Sequence, residues 1–201
     1  HPMSKTSPKL LLISGSARAG SFNERLVQAA GRHAQALGAT VTSVDLRALS
    51  LPIYDADLHA SEGIPAGARQ LRELFASHDG LLLACPEYNA LPTPLMINSF
   101  DWLSVVQAEG DLPGGTAATA GKPVGLMGAS PGGLGGIRAL PIVRTYLSTN
   151  FAMVVVPEQL ALGGADQAFD EAGTLNKPAM DQMLTKLVAS VVQQARWRLG
   201  A

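Results

Sequence analysis

Short aliphatic runs without alternation constrain this chain most. Lys9-Leu-Leu-Leu-Ile13 ends at Ser14-Gly15, and Gly80-Leu-Leu-Leu-Ala-Cys85 stops at Pro86. Runs of this length with no polar beat describe strands buried on both faces, the hallmark of a parallel sheet covered by helices on each side. The segments between them have a different period. Phe22, Leu26, Ala29, Ala30, His33 and Leu37 recur at three- and four-residue steps, and Gly38 closes the pattern. Val41–Asp45 reads as a second strand, and a loop through Leu51-Pro52 and Tyr54–Asp57 leads to a helix over 65–77. After the third strand at Gly80–Cys85, a helix is expected over 95–106, an exposed loop over 108–121 and a fourth strand at Pro123–Ala129. A glycine-rich run, a helix to Asn150, a fifth strand at Phe151–Val156 and a final helix over 177–199 complete the chain. Met180, Met183, Leu184, Leu187, Val188 and Val191 form the apolar side of that last helix.

Strand and helix thus alternate five times, which predicts an α/β fold of right-handed βαβ units. The expected architecture is a flavodoxin-like three-layer sandwich, with a five-stranded parallel sheet of order 2-1-3-4-5 and helices on both faces. At 201 residues the chain suits one domain, taken as residues 4–201, with residues 1–3 read as a tag remnant and start because His1-Pro2 precede Met3. In such sheets ligands sit outside the carboxyl ends of the strands where the order reverses, so the loops after strands one, three and four are the candidate site.

The bulk properties exclude several functions. The net charge of −1 gives no field that steers the chain to nucleic acid or to a membrane, and no apolar run is long enough to span one. The four histidines are scattered, so no metal site is expected. The lone Cys85 follows Leu-Leu-Leu-Ala and reads as a small buried hydrophobe, and a single thiol points to the cytoplasm.

The first loop, Gly15-Ser-Ala-Arg-Ala-Gly-Ser-Phe-Asn23, links a buried strand to a helix. A helix start offers unpaired N–H groups and partial positive charge to an anion. Ser16, Ser21 and Asn23 add hydrogen-bond donors, and Arg18 adds a charged fork suited to phosphate oxygens. Gly15 and Gly20 have P-loop spacing, but Ser21-Phe22 stand where Lys and Ser or Thr are required, and the G-x-G-x-x-G fingerprint is absent. The competing reading is a plain helix cap at Ser21 or Asn23 with Arg18 as a solvated charge.

These residues resemble the NADPH-dependent FMN reductase family, which includes quinone, azo-dye and chromate reductases. Gly15-Ser16-x-Arg18-x-x-Ser21-x-Asn23 is similar to the family's phosphate loop, and Pro86-Glu87-Tyr88-Asn89 to its second hallmark. Met96-Ile97-Asn98-Ser99-Phe100-Asp101-Trp102-Leu103 follows a family helix pattern in which Ile97 replaces a lysine. Leu51-Pro52-x-Tyr54-Asp55 and the loop Ser130–Arg138 also match family segments.

The resemblance implies that Ser16, Arg18, Ser21 and Asn23, with Phe22 beside them, hold an FMN phosphate. Pro86, Glu87, Tyr88 and Asn89 would line the isoalloxazine, and Ser130, Gly132 and Gly133 would flank it. Tyr88 would stack near the ligand or sit at a subunit contact, and Asp101-Trp102 would be an interface anchor. It further implies NADPH or NADH as donor, a small-molecule acceptor, a ping-pong order and a homodimer or homotetramer. No catalytic side chain is named, because flavin carries the redox chemistry. A non-enzymatic flavodoxin-type carrier and a flavin-binding regulator are the alternatives. Carriers of that kind are very acidic and lack an arginine in this loop.

Overall fold

The computed structural model describes residues 7–200, so the expectation for residues 1–3 lies outside the described residues. The strands are β1 Lys9–Ser14, β2 Thr40–Val44, β3 Gly80–Ala84, β4 Pro123–Ala129 and β5 Val154–Leu162. The helices are α1 Phe22–Ala36, α2 Ala56–Glu62, α3 Ala66–Ser77, α4 Pro94–Val105, α5 Gly115–Thr119, α6 Leu140–Asn150 and α7 Pro178–Arg198, with a short 3₁₀ turn at Ala165–Gln167. All five strands pair in parallel in the order β2-β1-β3-β4-β5.

The aliphatic runs explain the layers. Successive residues of a strand point to opposite faces. Leu10, Leu12, Leu82 and Ala84 therefore pack beneath α1 and α7 with Leu26, Leu184 and Val188. Leu11, Ile13, Leu81 and Leu83 pack on the other face with Leu71, Phe75, Phe100 and Leu147 from α3, α4 and α6. Each fully buried leucine contributes about 1.5–3 kcal/mol. A polar residue in either triple-leucine run would therefore remove one layer's anchor.

The structure departs from the sequence expectations in five places. The strand expected at Phe151–Val156 lies at Val154–Leu162, because Pro157 does not end it. β5 is an edge strand whose register shifts opposite Val124/Leu126, and an edge or a bulge accommodates a residue with no N–H to give. The segment after Tyr54 carries α2, capped by Asp55, whose side chain accepts from the N–H groups of Asp57 and Leu58. The loop expected at 108–121 is exposed over 108–112, but Gly115–Thr119 form α5, with Gly115, Ala118 and Thr119 buried, and the guanidinium of the fully buried Arg72 pins the segment by donating to Gln107 O at 3.0 Å and Pro113 O at 3.2 Å. On α7, Met183 faces solvent, while Leu184, Leu187, Val188 and Val191 form the buried stripe.

Trp102 also corrects an expectation. It is fully buried within the chain, donates its indole N–H to Pro52 O at 2.7 Å, and meets Tyr54 edge-on at 4.9 Å. Its neighbour Asp101 accepts from the Tyr146 hydroxyl at 2.8 Å. The pair anchors the 51–54 segment and α6 inside the chain and is not an exposed interface anchor. Among the described residues no helix is long and apolar enough to cross a membrane.

Candidate functional site

Three loops leave the carboxyl ends of β1, β3 and β4 side by side, because β1 pairs with β3 and β3 with β4. The first, Gly15 to Ser21, is shaped by its own serines. Ser16 N–H donates to Ser14 Oγ and Arg18 N–H donates to Ser16 Oγ, each at 3.2 Å. Gly20 adopts φ +64°, which turns the chain into α1 without a Cβ penalty. Ser21 is the N-cap: its Oγ accepts from Glu24 N–H at 3.1 Å, and the Glu24 carboxylate accepts from Gly20 N–H at 2.8 Å. Among the described residues, the N–H groups of Ala17, Ala19, Ser21, Phe22 and Asn23 have no partner in the chain. Arg18 is exposed, has no carboxylate partner among the described residues, and lies 5.5 Å from the Phe22 ring centroid.

Two residues support this loop from outside. The Thr93 hydroxyl donates to Gly15 O at 2.6 Å and caps α4, and Arg47 Nη1 donates to Ala17 O at 2.8 Å. Neither was assigned to the site from the sequence. Thr93 had a readable signal, since Thr-Pro is an N-cap followed by a favoured first helical residue. Arg47 had none, because only the β1–β2 pairing brings it to the loop.

Asn23 is buried, and its amide engages Ala129 at both ends: Nδ2 donates to Ala129 O and Oδ1 accepts from Ala129 N–H, each at 2.9 Å. Its side chain thus ties the start of α1 to the end of β4, and the part it offers an anion is its backbone N–H.

In the second loop, Tyr88 and Leu91 exchange backbone hydrogen bonds at 2.8 and 3.1 Å across a two-residue turn. Both turn residues, Asn89 and Ala90, have positive φ, as a type I′ turn requires. Ala90 sits there at a cost of about 1–2 kcal/mol. Tyr88 and Leu91 are exposed. Cys85 beneath them is fully buried, and burial pushes its thiol up to about 11. It is protonated and unreactive at neutral pH, as its apolar surroundings require.

The third loop is backed by β5. Ser130 N–H donates to Leu162 O at 3.0 Å, Ala165 N–H to Ser130 O at 3.0 Å, and Gly164 N–H to Gly132 O at 3.2 Å. Gly135 has φ +61°, and a Cβ there would fall 2.5 Å from the Ala161–Leu162 backbone. The Ser130 hydroxyl donates to Gly132 O and accepts from Gly135 N–H, so this side chain braces the loop. The space where Cβ atoms of Gly132 and Gly133 would stand is open.

Glu87 joins the second loop to the third. Its carboxylate accepts from Arg138 N–H at 2.9 Å and from the Arg138 guanidinium through Nε and Nη2. The guanidinium beside it holds the Glu87 carboxyl below the usual carboxylate range.

The structure therefore brings all the candidate residues, from Ser16 to Gly133, to one edge of one sheet. The donor set fits an FMN phosphate: several free N–H groups at a helix start, serine hydroxyls that still have an O–H to give, and one uncommitted arginine. Open backbone at Gly132 and Gly133 suits a flat ring. Fold and site together define a flavodoxin-like domain of the FMN-binding class.

Comparison with known proteins narrows that class. A profile of the family described as NADPH-dependent FMN reductase matches residues 8–167, and the chain belongs to that family. It is 31% identical over 188 residues to an NAD(P)H-dependent FMN reductase of Pseudomonas aeruginosa, covering 92% of this chain and 91% of the relative. It is 34% identical over 167 residues to a quinone reductase of Escherichia coli, covering 80% and 81% respectively. Among solved structures, the flavoenzyme NAD(P)H:(acceptor) oxidoreductase FerB of Paracoccus denitrificans superposes with a TM-score of 0.78 at 21% identity, covering 94% of this chain and 98% of that one. The chain is thus an FMN-dependent NAD(P)H oxidoreductase with a small-molecule substrate.

Proposed function

We propose that this oxidoreductase passes electrons from NADPH or NADH, in two half-reactions at one open face, to a quinone-like acceptor. Azo compounds, free flavin and metal oxyanions are acceptors of the same type. FMN, when bound, would supply two-electron redox chemistry between the nicotinamide and the acceptor. The protein's residues bind and orient. Arg18, the Ser16 and Ser21 hydroxyls and the free N–H groups from Ala17 to Asn23 hold the phosphate, with Phe22 beside them. Pro86 to Asn89 and the Ser130–Gly133 backbone border the ring.

The observation that carries this reading is the set of unpaired N–H groups around a free Arg18, on the same sheet edge as the open backbone at Gly132 and Gly133. No side chain is needed as acid, base or nucleophile.

The exposed Tyr88, Leu91, Leu134 and Ile137 ring the same mouth, and they support a homodimer, or a tetramer of dimers, that closes around it. A chain with one cysteine can make no internal disulfide, which supports the cytoplasm.

The test is direct. The purified chain should be yellow with an FMN spectrum, should oxidise one equivalent of NADPH or NADH per bound FMN in the absence of air and acceptor, and should turn over once an acceptor is added. Double-reciprocal plots at several acceptor concentrations should be parallel. A purified chain that neither retains nor takes up FMN would refute the proposal, and intersecting lines would replace the shared-face scheme by a ternary complex.

A further inference from the structure

Glu87 stands out because its partner lies on the other ring-bordering loop. The two residues are 51 apart in sequence, and Glu87 grips Arg138 at both its backbone N–H and its guanidinium. The Glu87 side chain is only 7% exposed, while that of Arg138 is 57% exposed. A nearly buried carboxylate thus fixes a cation that projects toward solvent, and no other charged side chain bonds either of them among the described residues. The surroundings are backbone and apolar: a Cβ on Gly136 would lie 3.8 Å from that of Glu87, and Leu134 and Ile137 flank the turn. Of the other side-chain contacts to the loops of this edge, those from Thr93 and Asn23 are neutral, and the charged one, Arg47 to Ala17 O, lies at the first loop and holds no carboxylate there.

We infer that Glu87 is a positioning residue that latches the loop after β4 to the loop after β3, and that Arg138 cancels its charge, so that this pair sets how differently the site holds oxidised and reduced FMN. The inference rests on the functional reading above and deepens it. Reduction adds electrons to the ring. A bare carboxylate beside it opposes that change, a bare guanidinium favours it, and the closed pair does neither. A latch that only held the loops would weaken both redox states alike. A charge-balancing latch makes its two halves act with opposite sign.

The experiment measures the dissociation constants of oxidised and reduced FMN, the latter anaerobically, for the parent, Glu87→Gln, Arg138→Gln and the double variant. Glu87→Gln should shift the ratio toward reduced FMN and Arg138→Gln toward oxidised FMN, each on the order of tenfold, which is about 30 mV for a two-electron couple. The double variant should return close to the parent ratio while binding both forms more weakly. Equal weakening of both states, or shifts of the same sign in the two single variants, would overturn the inference. Should Glu87→Gln fail to fold, Arg138→Gln against Arg138→Lys decides: the first shifts the ratio toward oxidised FMN, the second, which keeps the charge and loses the fork, retains the parent ratio, and equal ratios in both would overturn the inference. A parent that binds neither form of FMN would refute the functional reading itself, a result distinct from FMN binding with an unmoved ratio.

Discussion

At the amino end of the sheet, polar groups meet one another; at the carboxyl end, several are held back. Asp79 accepts from Lys9 N–H at 2.7 Å, His78 meets Thr42 Oγ1 at 2.8 Å, and the Thr119 hydroxyl donates to Phe151 O at 2.8 Å. The buried Lys122 ammonium donates to Phe75 O near the end of α3. At the other end, backbone N–H groups of the first loop stay unpaired, Asn89 and Ala90 sit at positive φ, and apolar side chains face water. One end is built for stability. The other keeps unmet backbone hydrogen-bonding capacity available for a ligand.

Substitutions can break this contrast. The largest effect belongs to Arg72→Ala at the amino end. It empties the space of a fully buried side chain and strips two carbonyls of their donor, so unfolding stability should fall by about 3–5 kcal/mol in urea titrations. FMN affinity per folded molecule should not change. A selective loss of FMN at unaltered stability would mean that the two ends are coupled.

Arg18→Ala should do the reverse. Losing a charge-assisted contact to phosphate costs about 1.5–3 kcal/mol, so the FMN dissociation constant should rise roughly ten- to hundredfold in a fluorescence titration. The melting temperature without FMN should stay put. An unchanged affinity would move the phosphate away from this loop.

Lys122 sharpens the contrast through pH. Burial, aided by the charge of Arg198, lowers its amine to about 8 from an ordinary 10.5. Between these values the unfolded chain binds more protons than the folded one, so stability rises with pH across that window. Below about pH 8 both states are protonated, and the cost of the buried charge is present in full. The rise is at most about 1.4 kcal/mol per pH unit. Melting curves from pH 7.5 to 10.5 should show Lys122→Met lacking this component of the slope that the parent carries. Identical slopes would place the ammonium in water.

The smallest effect is at the carboxyl end. Ala90→Gly removes the positive-φ strain but frees the unfolded chain, leaving a gain of about 0.5–1 kcal/mol. A loss of stability instead would show that the Ala90 methyl group makes a contact worth more than the strain.

The sheet was legible because Leu10–Leu12 and Leu81–Leu83 leave a chain few other ways to bury them. The β4 run was readable to its ends, and the capped start of α1 was readable from Ser21. β5 was misread because Pro157 looks like a stop unless the strand is known to be an edge. α2 was missed because it buries no residue and so shows no apolar stripe. In the site, the loops announced themselves through local composition. The grip of Glu87 on Arg138 and the tether from Asn23 to Ala129 did not, because each joins segments that only the folded sheet brings together.

The brace between β5 and the third loop has a consequence for how such a chain can diversify. Ser130, Gly132 and Ala165 are held largely through main-chain groups, and so is the Tyr88–Leu91 turn. Main-chain groups survive most substitutions. The side chains that rim the mouth, Leu91, Leu134 and Ile137, take no part in those bonds. Under the proposed function, acceptor preference should therefore drift by single substitutions at the rim while the frame of the second and third loops is inherited intact.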